Sequence, residues 1–159
     1  MTPAFARAAW LVSVLPIVAG CAGGGPMPAA LDTRTENCRW CRMAVSDARL
    51  AAQLVAPGEE PSFFDDIGCL ASFIKQRAPL PGGTAAFVAD HRTKAWIPAA
   101  RALYTRVPRL ETPMGSHLVA HADASSRDAD PDARGGSPVT TDEVFGPGVL
   151  PHRREAERP

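Results

Sequence analysis

Proline and glycine interrupt this chain so often that it reads as short elements joined by many turns. Among its 159 residues are 13 glycines and 16 prolines, and the apolar material between them suffices for one modest domain. From Asn37 the pattern becomes structured. Leu50 to Ala56 has strand character, Pro57-Gly58-Glu59-Glu60-Pro61 is a turn signal, and Ser62-Phe63-Phe64 can pair back as a hairpin. Asp65 or Asp66 can cap a helix through Ile67, Leu70, Ala71 and Ile74 that ends near Arg77. Pro79 and the Pro81-Gly82-Gly83 turn stop it. Ala85 to Ala89, Ala95 to Pro98, Ala102 to Val107 and His117 to Ala122 follow as short strands, with His91 to Lys94 as a turn. Asp123 to Arg134 holds no apolar residue larger than alanine and reads as a loop, and Val139 to Val144 as a last strand or helical turn. Two strands, a helix, then further strands predict an α+β domain rather than a Rossmann-like alternation.

The ends of the chain read differently. Arg7 precedes an apolar run from Ala8 to Ala19 that is too short to span a bilayer comfortably. Val18-Ala19-Gly20-Cys21 then resembles a bacterial lipobox, which makes residues 1–20 a signal peptide and Cys21 a lipidated N-terminus. The alternative is an ordinary signal peptide with an incidental cysteine. Residues 21–36 have no helical or strand period and form a flexible tether, with Met27 incidental in it. A protein so anchored sits on a membrane surface in an oxidising envelope compartment. Residues 147–159 are charged and rich in proline, so disorder is expected there. With Lys+Arg 17 against Asp+Glu 17, the chain lacks the basic excess of a nucleic-acid binder.

The chemistry concentrates in Cys38-Arg-Trp-Cys41-Arg-Met43. In an extended or turn segment, Cys41 and Met43 share a face and can aim both sulfurs at one point. Thiolate and thioether donors select soft ions, above all Cu(I), whereas zinc prefers thiolate, nitrogen and oxygen. Cys69, Met114 and His117 are further candidate donors, with His121 behind them. Each has a bland alternative. Cys69 falls in the helix as a small buried residue, Met114 sits in a Pro113–Gly115 turn, and His117 and His121 share one strand face with Val119. His91 and His152 fall in a turn and a tail, where solvation is the default. The cysteine pair itself has two other readings, a structural disulfide and a thiol–disulfide redox site. The redox site normally opens a helix after a buried strand, which this segment lacks, and has no use for Met43.

These residues resemble the NosL family, the copper-binding accessory lipoproteins of nitrous oxide reductase. The resemblance runs through Cys38-Arg-Trp-Cys41-Arg-Met43, Phe64-Asp-Asp-Ile-Gly-Cys69-Leu70, Val88-Ala-Asp90 with Ala95-Trp-Ile-Pro-Ala99, and Thr112-Pro-Met114-Gly115. Gly135-Gly136 to Thr141-Asp-Glu-Val144 continues it, and His117 stands where glycine is expected. It implies a copper-binding domain over residues 37–146 with two small strand–strand–helix–strand units, similar to the organomercurial lyase MerB. It also implies one Cu(I) held by Cys41, Met43 and Met114, with Cys38, Cys69 and His117 as further candidates. The implied role is delivery of copper to the copper–sulfide centre of nitrous oxide reductase or to its maturation machinery. The protein would be lipid-anchored at the outer membrane, facing the periplasm, and would not be an enzyme. Two other functions stand beside it. One is an envelope thiol–disulfide oxidoreductase using Cys38 and Cys41; the other is a lyase of carbon–metal bonds, which needs a carboxylate such as Asp65, Asp66 or Asp90 beside the thiols.

Overall fold

A computed structural model describes residues 25–150. Strands β1 (Ala52–Val55) and β2 (Ser62–Phe64) form the expected hairpin, and helix α1 (Ile67–Arg77) follows directly. Its cap is Asp66, whose carboxylate accepts the Gly68 amide at 2.6 Å, satisfying one of the donors a helix start leaves unpaired. Ile67, Leu70, Ala71 and Ile74 recur at helical spacing and are buried. The helix ends at Ala78, before Pro79, where the α conformation is disfavoured. Strand β3 (Ala85–Ala89) returns beside β1, and β4 (Trp96–Pro98) completes a four-stranded antiparallel sheet in the order β2-β1-β3-β4.

A second sheet repeats the plan. Strands β5 (Leu103–Arg106) and β6 (Leu118–His121) pair antiparallel, helix α2 (Ala124–Ala129) follows, and β7 (Ser137–Val139) returns to β5. The order β6-β5-β7 matches β2-β1-β3, with the first strand of each unit in the middle. The fold is therefore α+β with two strand–strand–helix–strand units, as expected. Helix α3 (Thr141–Phe145) closes the domain with a reciprocal cap: the Thr140 hydroxyl accepts the Glu143 amide while the Glu143 carboxylate accepts the Thr140 amide. Phe64, Leu70, Ile74, Val88, Ala120 and Phe145 meet in the main core, where each large side chain contributes about 1.5–3 kcal/mol by leaving water.

Four local expectations change. The Asp123–Arg134 segment is not all loop, because Asp123 caps α2 by accepting the Ser126 amide at 2.8 Å, and buried Ser126 donates its hydroxyl to Asp90 at 3.0 Å. Polar bonds rather than an apolar stripe hold this helix. Val139 to Val144 divides into the end of β7 and most of α3, so strand and helical turn both occur. His91 is buried rather than solvated, because the turn after β3 packs on β6 through a bond from the His91 amide to the Ala120 carbonyl at 2.8 Å. Both flanks also reach further into the domain than the tether and tail boundaries. The buried Gln53 side chain exchanges two hydrogen bonds with the backbone of Ala29, and Leu150 packs into the core beside Val149. Cys21, His152 and the remainder of the tail and signal segment lie outside the described residues.

Candidate metal centre

The motif Cys38–Met43 folds as a tight loop on the edge of the first sheet. Asn37 and Ala44 form an antiparallel bridge, the Cys38 amide donates to the Met43 carbonyl at 2.7 Å, and the Arg42 amide donates to the Cys38 carbonyl at 3.0 Å. Arg42 takes a left-handed φ of 68° to turn the chain. The Arg39 amide donates to the Phe63 carbonyl at 2.8 Å, pinning the loop to β2. This folding buries Cys38 and leaves Cys41 partly covered, with Trp40 and Met43 facing outward.

The opposite wall comes from the start of α1. Asp65 lies between β2 and the helix cap, and Cys69 sits in the first helical turn; both are buried. The ligand atoms of Cys38, Cys41, Asp65 and Cys69 all lie within 4.8 Å of one another. The three cysteines are free thiols, so the resting disulfide between Cys38 and Cys41 is absent. Cys41 Sγ donates to Asp65 Oδ2 at 3.2 Å. The other carboxylate oxygen, Oδ1, is buried without a hydrogen-bond partner, a costly arrangement that an incoming donor or cation would relieve.

The thiols do not share protons evenly. The Cys69 thiol donates to Cys38, which lowers the Cys38 pKa to about 6 despite its burial. Cys69, as that donor, is pushed well above the usual thiol range. Burial, with the neighbouring Asp65 and Cys38, raises Cys41 to about 11. The surroundings therefore favour the thiolate at Cys38 and the protonated thiol at Cys41 and Cys69. This set is soft and chelating, suited to a thiophilic ion.

The structure brings Cys38, Cys41 and Cys69 together and adds Asp65, which the sequence offered only as a cap or as a lyase acid. Its burial depends on the loop laid over it, which no local pattern reveals. Met43 and Met114 are 53% and 48% exposed. The Met114 turn is fastened to α1: the Thr112 hydroxyl and the Met114 amide both donate to Asp66 Oδ2, at 2.7 and 3.0 Å. The turn thus borders the helical start that carries Cys69. His117 is engaged elsewhere. It precedes β6 with a left-handed φ of 57°, and its Nδ1 bonds the Leu110 carbonyl at 2.8 Å. His121 joins His91 and Asp130 in a separate buried cluster, so the two histidines do not share one strand face.

Among the described residues, no helix is long and apolar enough to cross a membrane. Neither the curated proteins nor the solved structures give a match to the chain. A family model does: NosL matches residues 28–146, from the docked end of the tether through α3. The match spans the thiol loop, the Asp65–Cys69 segment and the Met114 turn, and on that span the chain belongs to the NosL family.

Proposed function

We propose that this protein is a membrane-anchored Cu(I) chaperone that supplies copper for assembly of the copper–sulfide centre of nitrous oxide reductase. The anchor is a lipid on Cys21. The reading is carried by one observation: two buried free thiols converge beneath the partly covered thiol of Cys41, bordered by the loop and turn that bear two half-exposed methionines. Cu(I) bound by Cys41, Met43 and Met114 is held at the surface, where a client's donors can enter by ligand exchange. The buried Cys38 thiolate and Cys69 lie behind as further sulfur donors. Thioethers contribute to Cu(I) and little to Zn(II), so such a site discriminates by donor softness.

The test is an anaerobic competition titration with a strong Cu(I) chelator on the reduced protein. Met43→Ala and Met114→Ala are each expected to weaken Cu(I) by at least roughly 10-fold, since losing a ligand costs no less than losing a group that only supports one. Cys41→Ala is expected to abolish tight binding, since it removes the one donor of the three that can give up a proton and bind as a thiolate. If both methionine variants compete as well as the parent, the thioether site is wrong and a cysteine-only site replaces it. Asp65 beside Cys41 also supplies the carboxylate that the lyase reading requires. Incubation with an organomercurial separates the two, because the chaperone reading expects no hydrocarbon release.

A further inference from the structure

A second set of donors is buried where the two units meet. His91 follows β3, His121 ends β6 and Asp130 caps the C-terminus of α2; they are 2%, 0% and 3% exposed. One carboxylate oxygen serves both rings: Asp130 Oδ2 lies 2.7 Å from His91 Nδ1 and 2.9 Å from His121 Nε2. The other oxygen accepts the Asp132 amide at 2.9 Å, which fixes the carboxylate plane. The far nitrogens, His91 Nε2 and His121 Nδ1, are buried with no hydrogen-bond partner. Two rings from different units and one carboxylate thus bring three ligand atoms together in a site closed to water.

Two imidazole nitrogens and a carboxylate oxygen converging at one point, all within 4.8 Å, form a donor set of another kind. We propose that His91 Nδ1, His121 Nε2 and Asp130 Oδ2 hold a divalent ion of the zinc class. The set contains nitrogen and oxygen and no sulfur, which favours a borderline divalent cation over the soft Cu(I). Each ring coordinates as neutral imidazole, with its proton on the far nitrogen. Burial on every side makes this a resident ion rather than an exchangeable cargo. Its ligands come from both units, His91 from the first and His121 with Asp130 from the second, so the ion ties one sheet to the other. The site is separate from the thiol cluster and stands whether or not the copper reading does.

The experiment adds Zn(II) alone to the reduced full chain and follows the imidazole nitrogen resonances by NMR. The expected result is a coordination shift at His91 Nδ1 and His121 Nε2. Equilibrium dialysis of the Cys38→Ser/Cys41→Ser/Cys69→Ser chain, which lacks the competing thiol cluster, is expected to retain one Zn(II) per chain. His121→Gln and Asp130→Asn in that background are expected to weaken retention by at least about 100-fold, the upper end of the range for lesser changes around metal sites. Unchanged ring resonances in the parent chain at saturating Zn(II) overturn the proposal, and that measurement decides the matter should any variant fail to fold. Retention unaffected by His121→Gln and Asp130→Asn overturns it equally.

Discussion

Cys38 and Cys41 stand three positions apart and hold their protons very differently. Cys38 has a pKa of about 6 because the Cys69 thiol donates to it, while burial raises Cys41 to about 11. This contrast allows the bound thiol to be identified from protons alone. Cu(I) taken by Cys41 is expected to displace about one proton per ion near neutral pH, whereas an ion taken only by the preformed Cys38 thiolate displaces almost none. Proton release measured in weakly buffered, reduced protein checks this, and Cys41→Ser should remove the signal. Tight Cu(I) binding by the parent protein with almost no proton release would transfer the role to Cys38. The thiol cluster was legible from sequence because cysteines are few and two of them stand close together in the 38–43 segment. Asp65 and His91 were not, since what makes them unusual is their cover. The thiol loop lies over one and the second sheet over the other, and both covers are distant in the chain.

At the scale of elements, Asp66 does two jobs with one carboxylate. Oδ1 caps α1 through the Gly68 amide, and Oδ2 accepts the Thr112 hydroxyl and the Met114 amide. Asp66→Ala is therefore expected to cost about 1–2 kcal/mol of stability, as for the loss of a strong helix cap. It should also free the Met114 turn and lower Cu(I) affinity although no sulfur has been removed. Thermal unfolding read alongside the chelator competition checks both effects. A normal affinity in a destabilised Asp66→Ala chain would show that the turn needs no tether. Helix α1 was legible because its apolar residues recur at helical spacing and an aspartate precedes them. Helix α2 has no such stripe, and its cap at Asp123 acts together with a bond from Ser126 to Asp90 that only the tertiary fold supplies. The repetition of the two units came from the family resemblance rather than from a residue pattern, since beyond strand order, pairing and an aspartate cap on each helix the two sequences differ.

For the whole molecule, the seam between the units is organised by Asp90. Its Oδ1 accepts from the Arg92 and Thr93 amides and the Ser126 hydroxyl, at 3.1, 2.9 and 3.0 Å. Its Oδ2 accepts the Ala122 amide at 2.8 Å. Burial alone would raise this pKa, but the donors outweigh it and hold the group at about 2, below the ordinary 3.8. The folded state thus binds the proton more weakly than the unfolded chain. The stabilisation is full above the unfolded value and disappears as pH falls from there through about 2. Asp90→Asn is expected to cost about 2 kcal/mol at neutral pH, the scale of hydrogen bonds to a charged group, and to flatten the acid limb of the stability curve. An acid unfolding series on both chains checks this; parallel curves would place the seam's strength elsewhere. The division into units also has a bearing on the order of events during synthesis. The thiol loop and α1 belong to the first unit, whereas the Met114 turn that Asp66 fastens arrives with the second. A chain that has emerged only through β4 already carries its three thiols but lacks the turn that borders them. Until the second unit folds, those thiols depend on speed rather than on shelter.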